Sequence, residues 1–154
     1  PPGAAGTYWG SLVLEFSPQI QPAFSTADGV DGAVVWMMQT VPGTEERQGK
    51  VLRVQAVRDW PRGTLDGAFD ATLLFVNSGN TFVIPEGWFE VRDATGLPLW
   101  RKRFEPTLIL PGRMVEIVMP YNGPPLAPGR YVLLGIVDYG DGFRVAGQSL
   151  FSVR

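Results

Sequence analysis

The chain has 154 residues, with 45% hydrophobic and 18% charged side chains, which is enough for one domain with a hydrophobic core or one domain with an appendage. Its formal net charge is −2, so it has no basic field that would attract nucleic acid. Cysteine and histidine are absent, which excludes disulfides, thiol chemistry and imidazole as a general base or metal ligand.

The N-terminal third of the chain predicts two strands separated by a long loop. Residues 1–10 are rich in Pro, Gly and Ala, and we expect them to be loose. A short strand is expected over residues 12–16, followed by a loop over residues 17–32 that carries Pro, Ser, Asp and Gly. The run over residues 33–41 is apolar on both strand faces, which predicts a strand covered on both sides.

From residue 50 onward, short runs of alternating hydrophobicity are separated by Gly, Pro, Asn and Asp. Seven strands are predicted over residues 50–154, which in order fit strands A, B, C, C′ or D, E, F and G of a β-sandwich. Between these turn signals no stretch of ten residues has helical periodicity, so we expect essentially no helix. The predicted core-facing residues are Leu52, Val54 and Ala56; Phe69, Ala71, Leu73 and Phe75; Phe89 and Val91; Val115, Ile117 and Met119; and Tyr131, Leu133, Gly135 and Val137.

The sequence around Tyr131 gives the most specific fold signal. Pro128 and Gly129 form a turn before this tyrosine, as in the tyrosine corner that opens strand F of immunoglobulin-like sandwiches. In that arrangement the Tyr131 hydroxyl bonds to the backbone a few residues upstream, so we expect an acceptor near Leu126 or Ala127.

A tight turn over residues 138–142 then joins this strand to a closing strand, since its Asp-Gly pair tolerates positive φ. Together these patterns predict an all-β fold: an immunoglobulin-like β-sandwich of about seven antiparallel strands with one or two extra N-terminal strands. We assign residues 50–154 to the sandwich. Residues 1–49 are either an extension that adds strands to it or the end of a preceding domain.

Several turn motifs of the sandwich also resemble those of one family. They are Asn-Ser-Gly-Asn at residues 77–80, Pro-Glu-Gly at 85–87, Asp-Ala-Thr-Gly at 93–96, Leu-Pro-Gly at 110–112 and Leu-Ala-Pro-Gly-Arg-Tyr at 126–131. In this pattern the chain is similar to bacterial exported immunoglobulin-like domains related to periplasmic pilus-assembly chaperones. The resemblance covers residues ~70–154, and in the N-terminal part Tyr8–Leu14 is similar to the last strand of such a chaperone's first domain.

The resemblance implies a function and a location. It implies a non-catalytic, protein-binding domain, chaperone-like or part of a pilus or other cell-surface assembly, in the bacterial periplasm or outside the cell. The chain carries no signal peptide and no run of ~20 apolar residues, so no membrane span is expected. The Arg/Lys pair with which the chaperones hold the carboxyl end of a pilin subunit has no counterpart here, so subunit capture is not carried over.

The strand that follows the tyrosine corner predicts an apolar surface on its other side. If that tyrosine faces the core, then Val132, Leu134 and Ile136 face outward, and such a stripe on a central strand is seldom left in water. Either the N-terminal segment with Trp36 and Met38 covers the stripe, or a protein partner does. These five residues are the candidate interface.

A second hypothesis concerns tryptophan, of which the chain has five. Flat aromatic faces stack on sugar rings and pair with Arg, so Trp88, Trp100, Arg101 and Arg103 are a candidate ligand surface. The same residues also fit an ordinary polar face with Arg stems lying on Trp rings. On the ligand hypothesis, the chain is a glycan-binding or accessory module of a larger secreted protein. The discriminating observation is at least two exposed, coplanar rings among Trp9, Trp60, Trp88 and Trp100.

No residue set predicts a catalytic, cofactor or metal site. Asp138 and Asp141 are only two carboxylates, whereas a calcium loop needs six to eight oxygen ligands, so we interpret them as turn residues. The serines lack a nucleophile-elbow motif, and there is no histidine to activate them. Asp66, Asp70, Glu86 and Asp93 are not spaced to pair on one strand face, so they are interpreted as solvated turn carboxylates.

Overall fold

The computed structural model describes residues 3–16, 31–57 and 69–153. These residues form nine antiparallel strands in three sheets, and they include no helix that could cross a membrane. Most of the predicted N-terminal loop, Trp60 and Asp66 lie outside the described residues. The strands are β1 (Thr7–Phe16), β2 (Asp31–Thr40), β3 (Gly49–Val57), β4 (Asp70–Asn77), β5 (Glu86–Arg92), β6 (Pro98–Phe104), β7 (Met114–Pro120), β8 (Gly129–Asp138) and β9 (Arg144–Val153).

The chain divides into two compact units, Pro1–Glu45 and Glu46–Arg154. The first unit contains β1 and β2, and the second contains the other seven strands. The boundary between the two units lies just before residue 50, at which the sandwich was predicted to begin.

The N-terminal unit is a β-hairpin in which β1 and β2 pair along all ten residues of each strand. At its base the hydroxyl oxygens of Thr7 and Thr40 are 2.8 Å apart, and the Val41 N–H donates to the Gly6 carbonyl. Because pairing continues to the base, β1 begins at Thr7 and not at Leu12. The prediction of a loose start is therefore wrong from Thr7 onward.

Both faces of this hairpin are exposed. On one face Trp36 is 70% exposed, and on the other Val35 is 45% exposed. Within the hairpin unit itself neither face is covered, so the prediction that this strand is covered on both sides stays a prediction. An apolar run indicates that a strand needs cover, but it does not say where the cover comes from.

The second unit is an immunoglobulin-like β-sandwich. One sheet has the strand order β3-β4-β7, which corresponds to strands A, B and E, and the other has the order β6-β5-β8-β9, which corresponds to C′, C, F and G. Strand β6 pairs with β5 across the turn at Asp93–Gly96, so it is strand C′ and not strand D. The predicted all-β sandwich of seven strands is confirmed.

The core lies between the two sheets, and the predicted alternation of β4, β5, β7 and β8 is confirmed. On β8, Gly135 faces the core where a Cβ atom would lie 2.4 Å from Leu73 Cδ1, so no side chain fits there. Along β7, Val115, Ile117 and Met119 are half-buried against the core. The core residues with no exposed surface are Ala71, Leu73, Phe75, Phe89, Val91, Leu133 and Val137.

Strand β3 departs from its predicted face. Its register with β4 shifts between Val51 and Arg53, which is a β-bulge. A bulge places an extra residue in one strand and reverses the side-chain alternation before it. As a result Val51 packs against the core together with Val54, while Leu52 is 52% exposed. The prediction of Leu52 as a core residue is wrong for this reason.

The tyrosine corner is confirmed. The Tyr131 hydroxyl donates a hydrogen bond to the Ala127 carbonyl oxygen at 2.7 Å, one of the two acceptors expected. Its ring stacks on Phe151 of β9 with 5.6 Å between centroids. In the turn that follows, Gly140, Asp141 and Gly142 all have positive φ, so the Asp-Gly pair has the predicted role.

Asn77 was predicted only as a turn residue, but its side chain also forms buried hydrogen bonds. Its side chain is fully buried, and its amide nitrogen donates to the carbonyls of Thr81 and Ile109 at 2.8 and 3.0 Å. Its Oδ1 accepts the Gly79 N–H, which closes a local turn. The N–H groups of Ser78 and Gly79 also donate to the carbonyl of Gln48, which ties residues 46–48 to the sandwich.

Replacing Tyr131 tests the corner. Tyr131→Phe should lower the free energy of unfolding by about 1–1.5 kcal/mol, because one hydrogen bond is lost. Tyr131→Ala should lower it by roughly 3–5 kcal/mol, because a cavity is added. Tyr139→Phe is a matched control, since Tyr139 is equally buried and its hydroxyl bonds to no described residue. Denaturant melts measure all three; an Ala variant with the wild-type midpoint would show that Tyr131 is not buried.

Replacing Asn77 tests the buried amide. Asn77→Ala removes the donor to two buried carbonyls, so we expect a loss of about 2 kcal/mol or more in the free energy of unfolding. Ser78→Ala, at the exposed neighbouring position, should change it by no more than about 0.5 kcal/mol. If Asn77→Ala and Ser78→Ala had equal midpoints of urea unfolding, the stabilising role of the Asn77 hydrogen bonds would be contradicted.

Candidate functional site

The candidate site is the face of the four-stranded sheet that points away from the core, which we call the outer face. Strand alternation places residues there because their neighbours along β5 and β8 are buried in the core. The register aligns them in rows across the sheet. The rows are Arg103, Trp88, Ile136 and Ala146; Arg101, Glu90, Leu134 and Gln148; and Arg92, Val132 and Leu150.

The predicted apolar stripe runs down the middle of the outer face. Val132, Leu134 and Ile136 are half-buried, because side chains of the adjacent strands cover them in part. Leu150 lies beside Val132 and is 81% exposed, the highest value of any large apolar side chain among the described residues. The stripe therefore extends onto β9 and reaches water there.

Trp88 lies beside the stripe, opposite Ile136. The Arg101 guanidinium carbon is 4.0 Å from the centroid of the indole ring, which is a cation–π contact. The indole Nε1–H is buried and has no acceptor among the described residues. A buried donor without an acceptor costs about 1–3 kcal/mol of folding stability.

Glu90 occupies the centre of the face and was missed by the sequence analysis. Its side chain is only 8% exposed, and its carboxylate lies 2.5 Å from Arg92 Nε and 3.8 Å from Arg101 Nε. A buried carboxylate needs such partners because of its desolvation. The available signal was alternation, since Glu90 lies two residues from Trp88 and two from Arg92 and so shares their face.

A groove of about 310 Å³ lies at one end of the outer face. Side chains of both charge signs line it around the rings of Trp88 and Phe104: Glu86, Arg103, Glu105, Asp138 and Arg144. The Arg144 Nε atom donates to Asp138 Oδ2 at 2.8 Å, and this bond, with a second from the Gly140 N–H, lowers the pKa of the Asp138 carboxyl below 3.8. Asp138 therefore stays ionised at neutral pH.

The predicted ligand surface is only partly assembled. Trp88, Arg101 and Arg103 share the outer face, but Trp100 does not. Trp100 pairs with core-facing Val91, so it points inward, where it is buried and its Nε1–H donates to Asn122 Oδ1 at 3.0 Å. Including Trp100 in this surface was wrong because alternation on β6 separates it from both arginines. In the described part of the sandwich, Trp88 has no second tryptophan beside it to form a sugar-stacking platform.

The turn carboxylates are engaged in local contacts. Asp141 forms an ion pair with Arg47. Asp93 Oδ1 accepts hydrogen bonds from the hydroxyl and N–H of Thr95, and the hydroxyl bond is the main cause of a lowered pKa at Asp93. Among the described residues there is no group of three or more acidic side chains that could hold a metal ion.

Trp36 and Met38, the other predicted interface residues, lie on β2 and share one face of the N-terminal hairpin. Both are exposed. Whether they cover the stripe of Val132, Leu134 and Ile136 stays a prediction.

No protein-family model matches this chain, and no curated protein matches it. The resemblance to pilus-chaperone relatives therefore continues to rest on the turn motifs of the sequence.

The Asp138–Arg144 pair predicts a pH dependence. Because the folded-state pKa of Asp138 is lowered, its ionisation stabilises the fold above the ordinary value of 3.8, and this contribution disappears as pH falls through the lowered pKa. Arg144→Gln should raise the pKa of Asp138 in an NMR titration of the carboxyl carbon. Arg103→Gln, which also lines the groove, is the control and should leave it nearly unchanged. An unaltered titration in Arg144→Gln would refute the assignment.

Proposed function

We propose that the sandwich is a non-catalytic protein-binding domain of an exported bacterial protein, chaperone-like or part of a cell-surface or pilus assembly. The observation that carries the proposal is the apolar stripe that ends in the 81% exposed Leu150. The exported, bacterial part of the proposal rests on the turn motifs, which resemble those of periplasmic pilus-assembly chaperones.

The composition of the outer face suits a protein partner. Interfaces between proteins have an apolar centre and a polar rim, with aromatic residues and Arg enriched. Here the aliphatic stripe is the centre, and Trp88, Arg92 and Arg101 lie along one side of it. The charged groove continues the rim at one end.

The face is a better binding surface than the sheet edges. At one edge, β6 carries Pro98 and the exposed Lys102, whose place on the core side of the strand discourages strand addition. At the other end of the sheet, β9 packs against β3 on its core side, where a Cβ atom at Gly147 would lie 2.7 Å from Val51 Cγ1. The β6 edge is therefore protected, and the outer face is an open apolar surface of this sheet.

Substituting the exposed end of the stripe tests the proposal. A partner is first isolated on the immobilised chain from periplasmic and surface extracts of the encoding bacterium, then purified. We expect Leu150→Glu to raise the Kd of that partner at least tenfold, because a charge enters the apolar centre of the interface. The effect on folding should be within about 0.5 kcal/mol, since the side chain is exposed.

Met114→Glu is the matched control. Met114 is 62% exposed on β7 of the other sheet, so this variant introduces the same charge away from the outer face and should bind with the wild-type Kd. Equal weakening by both variants would place the interface elsewhere. Failure to isolate any stoichiometric partner, or turnover of a small substrate by the partner-free chain, would contradict the proposal itself.

A further inference from the structure

The three rows that contain the apolar stripe have a net charge opposite to that of the rest of the chain. They hold three arginines, Arg92, Arg101 and Arg103, which we call the arginine row, and one carboxylate, Glu90, so their net charge is +2. The whole chain has 13 basic and 15 acidic residues, so the other 10 basic and 14 acidic residues give −4. The stripe is therefore bordered by a positive patch on an otherwise negative protein.

In this patch the cations face solvent and the carboxylate does not. The side chains of Arg92 and Arg101 are 43% and 56% exposed, whereas that of Glu90 is 8% exposed. Arg92 Nε lies 2.5 Å from the Glu90 carboxylate, so the single negative charge is already compensated. Arg103 is exposed and forms no ion pair with a described residue. A partner that approaches these rows therefore meets guanidinium groups and no uncompensated carboxylate.

All of these charges lie on one side of the stripe. The arginine row is on the β5 and β6 side, and the β9 side of the same rows is uncharged, with Ala146, Gln148 and Leu150. Arg101 is held in position, since its guanidinium carbon is 4.0 Å from the centroid of the Trp88 ring and its Nε is 3.8 Å from Glu90. A guanidinium fixed in this way has less side-chain entropy to lose when it pairs with a carboxylate.

We propose that the partner of the outer face carries apolar side chains with aspartate or glutamate residues along one side only, and that these carboxylates pair with the arginine row. The inference rests on the proposed function and adds the chemistry and orientation of the partner. Its acidic side lies towards β6 and its uncharged side towards β9. Because Arg101 and Arg103 are two residues apart on β6, the carboxylates that they bind are spaced about 6–7 Å apart.

An anionic membrane is the main competing occupant, because arginines beside apolar side chains also bind lipid headgroups. Interfacial binding buries apolar groups about 5–10 Å deep in the lipid. Here the stripe on β8 is half-buried in the plane of the sheet, and Leu150 is the only exposed large apolar side chain of the three rows. Glu86 and Glu105, which line the groove at one end of the face, would also repel lipid phosphates. An acidic protein surface fits the face better.

A selection with a probe of known composition tests the chemistry without the natural partner. A library displayed on a small helical scaffold, with equal frequencies of acidic and basic residues at its varied positions, is selected on the immobilised chain. Binders of the outer face are those that fail to bind Leu150→Gln, which adds no charge. We expect their acidic residues to exceed their basic residues at least twofold. Binders that still recognise Leu150→Gln should have the opposite excess, because the rest of the chain is negative. A neutral or basic first group would overturn the inference, whatever the natural partner is.

A charge reversal then tests the partner that is purified on the wild-type chain. Arg103→Glu should lower its association rate constant about three- to tenfold, and Arg103→Gln should give an intermediate value. Raising the salt concentration from about 50 to about 500 mM should slow association with the wild-type chain more than with Arg103→Glu. Arg113→Glu is the matched control, since Arg113 is exposed next to β7 of the other sheet, and it should leave the rate nearly unchanged.

The outcomes separate this inference from the proposed function. If Leu150→Glu weakens binding but Arg103→Glu leaves association unchanged or speeds it, the outer face binds a protein whose facing side is not acidic, and the inference is overturned. Equal slowing by Arg113→Glu would also overturn it, because the effect would then come from the net charge of the chain. So would cosedimentation of the chain with phosphatidylserine vesicles that Arg103→Glu abolishes, since that result assigns the arginine row to lipid.

Discussion

The tyrosine corner fixes the side-chain alternation of β8, and both faces of the four-stranded sheet depend on that alternation. A slip of one residue would move Leu133 outward and bring Val132 into the core. The bond from the Tyr131 hydroxyl to the Ala127 carbonyl opposes such a slip at the start of the strand. Gly135 opposes it in the middle, because only a residue without a side chain fits under Leu73. The outward stripe is therefore a consequence of how the core is packed.

Alternation in the sequence predicted most of the sandwich core but not its irregularities. It was sufficient on β4 and β8, where every second residue is apolar and buried. It failed at Leu52, since a β-bulge has no signal in the local pattern and is imposed by the pairing of β3 with β4. Alternation also missed the role of Asn77, because the sequence does not distinguish an asparagine with a buried amide from one in an exposed turn. The two buried carbonyls to which the Asn77 amide donates are seen only in the structure.

The face on which each candidate site residue lies could also have been predicted from alternation, if it had been applied to β6. Along β6 the order Trp100, Arg101, Lys102, Arg103 alternates in and out, so Trp100 and its neighbouring arginines belong to opposite faces. The predicted ligand surface was wrong in this respect because it grouped Trp100 with the arginines by their nearness in sequence. The pairing of β5 with β6 was needed to bring Arg101 onto Trp88 and beside Glu90. That pairing joins residues more than ten positions apart, and turn signals indicate it without fixing its register.

The two exposed apolar surfaces of this chain differ in charge, and the difference separates their roles. On the outer face, the exposed side chains of Arg92 and Arg101 lie beside the stripe, so the surface is compatible with water when no partner is bound. The hairpin has no charge between Tyr8 and Leu14, and such surfaces are typical of permanent contacts, which resemble a divided core. Exposure alone does not separate the two cases. Charge content does, because a surface that returns to water needs hydrated groups near its centre, whereas one that is always covered does not.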